Sequence, residues 1–268
     1  MIRTIDHLVL LVQNLDHAIA DYTTLGFTVL RGGEHPGAGS HNALVAFADG
    51  TYLELIAFFQ PNDLHPWWRK GQRAGEGLVD YAVLPGDIAR DIADAQARGL
   101  AIDGPTPGGR VRPDGERVEW DIGRPAAAAL PFLCGDRTPR TLRVPEGAAR
   151  QHPNGVAGIA GITVAVTDLE AAVDQYLALL GEHVLGAPPA PVAGLGLRTA
   201  TVRLDSALIT LVSPHGDGGV ASGVLRDYLA ARGDGPYAVA LTSAPDAARG
   251  TFDPRLTHGA RLEFATTA

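Results

Sequence analysis

Residues 3–12 carry apolar side chains at both parities, with Ile5, Val9 and Leu11 on one face and Leu8, Leu10 and Val12 on the other. A strand of this kind has to be covered on both sides. Asn14 supplies a helix N-cap and Gly26 a terminator around the amphipathic stretch 15–25. Strand-like runs follow at 28–32, 42–48 and 51–58, and Asp49-Gly50 between the last two is a hairpin signal. The order predicted is βαβββ.

The same order recurs. Residues 78–84 form a strand, Asp87 caps a helix that runs to Arg98, and Gly99 ends it. From His7 to Phe27 and from Asp80 to Leu100 the two units align without a gap. Strands are predicted near Ala101, at 117–122 and at 128–134, with a turn at Pro113-Asp114-Gly115. A third unit starts at Gly161, has a helix to about Leu180, and ends in strands 198–204 and 207–212. A fourth, shortened unit starts at Tyr237, has a minimal helix near 244–250, and finishes at 261–264. The Pro-, Arg-, Gly- and Ala-rich stretch 137–156 reads as a linker, which places a first module pair at 1–136 and a second, degenerate pair at 157–268. The stretch 60–75 reads as a loop joining the first two modules.

Composition narrows the choice of partner. The chain has 268 residues, 46% apolar and 19% charged, as expected of an ordinary globular protein. A net charge of −8 argues against nucleic acid and anionic membrane surfaces. One cysteine, Cys134, excludes an internal disulfide and a Cys-rich metal cluster. There is no apolar run of membrane-spanning length and no secretion signal, so a cytoplasmic protein acting on a small molecule is expected. No dinucleotide cradle, P-loop or nucleophile elbow is present.

Two residues stand out on physical grounds. Glu54 lies in the apolar run 51–58, where an unpaired carboxylate costs several kcal/mol and so needs a cation, a metal or a proton. His7 lies in the doubly apolar first strand. The plain alternative is a buried His7–Glu54 hydrogen bond with no metal.

Ile5-Asp6-His7-Leu8-Val9, Asn14-Leu15-Asp16, Leu25-Gly26-Phe27, His41-Asn42-Ala43-Leu44 and the run from Asp49 to Ile56 together resemble the vicinal oxygen chelate superfamily, in particular its glyoxalase-like branch. Further support comes from 110–115 leading to Trp120, from Leu130-Pro131-Phe132-Leu133 and from His152-Pro153-Asn154-Gly155. The resemblance implies an α+β fold of tandem βαβββ modules, four here with the last shortened. Paired modules curl into a cup that holds a divalent metal, with ligands on the first and last strand of each module. His7 and Glu54 occupy these positions in module one. Asp80 aligns with His7 and is the candidate third ligand, or else a carboxylate bonded to the adjacent loop. Gly161, Thr210 and Pro236 stand at the corresponding positions of the second pair, which therefore lacks ligands.

A His, Glu and Asp set suits Zn, Ni, Co, Mn or Fe. Glu54 and His41 are the candidate catalytic residues that move the proton, and His41 is alternatively a further ligand. Asn42, Tyr52, Arg112, Trp120 and Phe132 are candidate substrate contacts. His35 lies in a Gly-rich loop at the rim, and Trp67-Trp68-Arg69 either walls the mouth or packs the modules together, packing being favoured. Three functions are compatible: a divalent-metal-dependent lyase or isomerase for a small oxygen-rich substrate, a metal-free protein that sequesters a small molecule, and, third in rank, an extradiol-type dioxygenase. A monomer or homodimer is expected, since four modules can pair within one chain.

Overall fold

The structure, a computed structural model, describes residues 2, 4–216, 219–243 and 250–265. The minimal helix expected near 244–250 falls largely outside these residues.

β1 (Thr4–Leu11) is followed by α1 (Leu15–Thr24), which Asn14 caps by accepting from the His17 backbone N–H. β2 (Leu30–His35), β3 (Ser40–Ala46) and β4 (Tyr52–Phe58) complete the first module. α2 (Pro66–Ala74) comes next, then β5 (Gly77–Leu84), α3 (Ile88–Ala97), β6 (Ile102–Val111), β7 (Arg117–Pro125) and β8 (Phe132–Asp136). The eight strands close into a barrel in the order β1-β4-β3-β2-β6-β7-β8-β5. β1 lies between parallel β4 and antiparallel β5, so nearly all of it is buried.

Beyond the barrel run the short α4 (Arg140–Arg143), β9 (Val156–Ala165), α5 (Leu169–Leu180), β10 (Leu185–Val192), β11 (Leu197–Arg203), β12 (Leu208–Pro214), α6 (Val220–Arg232), β13 (Gly235–Ser243) and β14 (Leu262–Phe264). They build a six-stranded sheet in the order β10-β11-β12-β9-β13-β14.

The main core joins the outside of the barrel to this sheet. Leu8, Leu10, Leu53, Leu55 and Val83 from the barrel pack in one cluster with Ile162, Val164, Ile209, Leu211 and Val239. At its centre the hydroxyls of Tyr81 and Tyr176 meet beside the Ala129 carbonyl, which accepts from Tyr176 at 2.8 Å. A smaller cluster lies inside the barrel and contains Val9, Leu11, Ile56, Ala82 and Phe132. The two faces of β1 thus serve two cores. Ile5 departs from the expected alternation: a register shift between Ile5 and His7 sends it to the outer core with Leu8 and Leu10.

Two further expectations change. The stretch 60–75 contains a helix, α2, because His65 caps it and Pro66 takes the first position, where its missing N–H costs nothing. The stretch 137–156 is not a free tether. It contains α4, whose Arg143 is 1% exposed and reaches into the barrel. Among the described residues no helix is long and apolar enough to cross a membrane.

Candidate functional site

The barrel interior opens into a cavity of about 520 Å³, within the range of roughly 300–1,000 Å³ usual for small-molecule sites. Strand alternation decides what faces it. On β4, Tyr52, Glu54 and Ile56 share the inner parity; on β1, His7, Val9 and Leu11 do. On β3 the inner residues are Ser40 and Asn42, which pair with Phe58 and Ile56 of β4. β2 pairs with β3 so that His35 lies opposite Ser40.

Three polar side chains meet on this wall. His7 Nε2 is 3.6 Å from Glu54 Oε2, and His35 Nε2 is 3.8 Å from Glu54 Oε1. Both separations exceed a hydrogen bond. Each group is anchored on its far side: His7 Nδ1 lies 2.7 Å from Asp6, His35 Nδ1 lies 3.2 Å from Ser40 Oγ, and Asn42 Nδ2 donates to Glu54 Oε1 at 2.6 Å. The His7 ring stacks on Tyr52 at 4.5 Å and meets the edge of Phe132. Gly32 leaves room for Asn42, since a Cβ there would strike its side-chain oxygen.

Electrostatics act on several groups around this set. Burial pushes Asp6 up, but Arg143, His7 and Arg140 outweigh it and hold the carboxyl well below its usual range. Arg143 Nη1 is 2.7 Å from Asp6 and also donates to the Tyr52 hydroxyl at 2.7 Å, while Arg140 Nη1 is 2.6 Å from Asp6. An ionised Asp6 accepts from His7 Nδ1–H, and the His7 Nε2 atom points toward Glu54. Burial, against the pull of Glu54, lowers the basicity of His35. Burial and Arg124 bring His65 down to about 4, so it is neutral at pH 7. The Cys134 thiol lines the cavity, and burial raises it to about 12, so in this environment it is not a nucleophile.

The predicted residues separate into groups. His7 and Glu54 share the wall, Asn42 holds Glu54, Tyr52 backs His7, and Trp120 and Phe132 line the cavity. A Cβ at Gly108 would strike the Trp120 indole nitrogen, so glycine lets that ring lie flat against β6. Asp80 is not brought to the pair. Its register partner on β1 is Val9, while Ala82 stands opposite His7, and its carboxylate accepts from Trp67 Nε1 at 2.8 Å and Arg124 Nη1 at 3.0 Å. His41 has the opposite parity from Asn42 and stacks on Phe59 away from the cavity. Arg112 also lies outside it, paired with Asp114 at 2.8 Å. Trp67 walls the mouth, and Trp68 meets the edge of Phe58.

Sequence reasoning did not place His35, Asp6 or Arg143 at the centre. For His35 a signal existed: the hairpin that turns Asn42 inward turns its partner two positions on inward as well. Arg143 carried none, being one arginine in an irregular stretch.

Two imidazoles and a carboxylate are donors that suit Zn, Ni, Co, Mn or Fe, and the bond from His7 to Asp6 is the support a ligating histidine usually has. Among the described residues no three His, Cys, Asp or Glu side chains are gathered closely enough to hold a metal ion. The donor types and their anchoring are those of a divalent-ion site, while their spacing is wider than that of a gathered ligand set.

Known structures share the fold. A hypothetical protein from Staphylococcus aureus superposes with a TM-score of 0.72 at 14% identity, covering 97% of this chain and 98% of that one. A mutant of 4-hydroxymandelate synthase from Streptomyces coelicolor gives 0.65 at 18% identity, covering 90% and 71%. A xylose isomerase-like TIM barrel/4-hydroxyphenylpyruvate dioxygenase fusion protein gives 0.55 at 15% identity, covering 92% of this chain and 37% of that one. No curated protein matches the sequence. The model of the glyoxalase-like domain matches residues 5–180, which span the whole barrel, every donor on its wall and the Arg143 behind them, and the chain belongs to that glyoxalase-like family.

Proposed function

We propose that this protein is a divalent-metal-dependent lyase or isomerase that acts on a small oxygen-rich substrate inside the barrel. The observation that carries this reading is the facing of His7 Nε2 and His35 Nε2 toward the two oxygens of Glu54, with no hydrogen bond closing either gap. His7, Glu54 and His35 are the residues that would hold the ion. A divalent ion bound there supplies Lewis-acid polarisation of two neighbouring substrate oxygens and so acidifies the adjacent C–H bond.

The protein's own groups do the rest. Asp6 and Ser40 fix the two imidazoles. Asn42 donates to Glu54 Oε1 and so orients the carboxylate, whose Oε2 faces His7. His65 accepts from the Trp67 backbone N–H at Nδ1, so its remaining proton is on Nε2, ready for a substrate oxygen at the mouth. Trp67, Trp120 and Phe132 exclude water around a planar body.

Metal analysis after dialysis against each ion in turn tests the reading. One ion per chain is expected in the wild type and a large loss in Glu54→Gln and His7→Ala. No retained ion, or equal retention in the variants, overturns it and leaves a metal-free binding protein. His35 also supports a second reading, because two histidines and a carboxylate are the donor set of non-haem iron oxygenases. Oxygen uptake by the Fe(II)-loaded protein in the presence of catechols or small oxo acids distinguishes the two.

A further inference from the structure

Four arginines line the cavity: Arg110, Arg117, Arg124 and Arg137. Three have a carboxylate. Arg117 pairs with Glu119 at 2.8 Å, Arg124 with Asp80 at 3.0 Å, and Arg137 with Asp121 at 3.7 Å. These three are also substantially exposed, so water screens them.

Arg110 differs in both respects. It is 3% exposed, and among the described residues it makes no ion pair. Its Nε donates to the Gly32 carbonyl at 3.0 Å and its Nη2 to the Arg143 carbonyl at 2.7 Å, so neutral backbone oxygens fix the plane of the guanidinium without cancelling its charge. It stands on β6 opposite Val118, two residues from Gly108 opposite Trp120, and so at the parity that faces the cavity. Glu54 favours the charge of Arg110 from a distance, but burial outweighs it, the two make no ion pair, and Glu54 Oε1 already accepts from Asn42. A buried cation held rigid, with donor capacity to spare and no carboxylate in contact with it, is costly unless something else supplies the charge. A bound anion would do so, and the fork of a guanidinium suits a carboxylate.

We infer that Arg110 is the anion-recognition residue of the barrel, and that its ligand is a small planar carboxylate whose acid group pairs with Arg110 while its body lies among Trp120, Phe132 and Trp67. The inference deepens the reading given above by naming the substrate class of the same cavity, but the charge pairing does not need a metal.

The test uses the full chain and two probes of one shape, benzoate and its neutral counterpart benzamide, with acetate and pyruvate as smaller carboxylates. Each is titrated calorimetrically into wild type, Arg110→Gln and Arg110→Lys, first in chelator and then with Mn(II). Wild type should prefer benzoate over benzamide by at least about tenfold. Arg110→Gln should weaken benzoate by about 10- to 100-fold, as expected for a lost charge-assisted bond, and leave benzamide unchanged. Arg110→Lys should recover part of the difference, which a merely structural role for Arg110 would not give. Equal binding of benzoate and benzamide, equal loss of both in Arg110→Gln, or no binding of any of the three carboxylates overturns the inference. Charge selectivity that survives in chelator, in a chain that retains no ion, leaves the inference standing and removes the metal reading. A retained ion without charge selectivity does the reverse.

Discussion

The barrel and the six-stranded sheet repeat one pairing around a central strand, parallel on one side and antiparallel on the other, and use it in opposite ways. In the barrel, Glu54 pairs with Val9, two residues beyond His7. In the six-stranded sheet, Thr210 pairs with Thr163, two residues beyond Gly161. The matching places thus carry an imidazole and a carboxylate in one half and glycine and threonine in the other. The helix that precedes the second antiparallel strand differs too. α2 has no fully buried residue and leaves the cavity open, lending it Trp67. α6 instead lies on its sheet, where Leu225 packs with Ala165 and Val212 and is backed by Leu197, Leu229 and Tyr237. The lesson is energetic: a concave sheet either fills with apolar side chains and gains stability, or keeps its polar groups in a cavity and must anchor each one.

That contrast can be broken from either side. The largest effect is expected where an anchor of the barrel is removed. Arg143→Met leaves Asp6 buried without its main counter-ion and should cost about 3–5 kcal/mol in a denaturant titration. In the other half, Leu225→Ala should cost about 2–5 kcal/mol and loosen α6 without any effect on ion retention by the barrel. Asp6→Asn should lower divalent-ion affinity by about 10- to 100-fold, measured by competition with a chromogenic chelator, because His7 loses the charged acceptor behind it.

His65 sharpens the comparison by pH. Its folded value of about 4 lies below its ordinary 6.5, so between these limits the unfolded chain binds more protons. Its contribution is present in full above 6.5 and is lost as pH falls toward 4. His65→Gln should therefore flatten that part of a stability profile built from urea midpoints. The smallest effect belongs to Arg198→Ala: it breaks the exposed pair with Glu170 and should leave the thermal midpoint within error.

Much of this arrangement was legible in the sequence. The doubly apolar run of β1, the Asn14 cap and the Asp49-Gly50 hairpin define the first module, and the gapless match of 7–27 with 80–100 exposes the second. His7 and Glu54 could be read because a charged group in an apolar strand demands an explanation. What failed did so for local reasons. Asp80 aligns with His7 in sequence, yet antiparallel pairing puts its register partner at Val9, and the indole of Trp67 claims it. His41 was adjacent to the right residue but at the wrong parity. α2 was hidden by a proline that ends helices in their middles and starts them at their first turn. Arg143 acts over 137 positions of sequence, and no local pattern announces a contact at that separation.

The guanidinium that clamps the acid behind His7 comes from beyond the last strand of the barrel. An excised fragment stopping at Asp136 would thus include all three donors, yet its imidazole would lean on a carboxylate robbed of neutralising charge. Anyone minimising this protein for display or fusion has to carry the cut past the short helix, because the stretch that looks like packaging between two halves is a component of one of them.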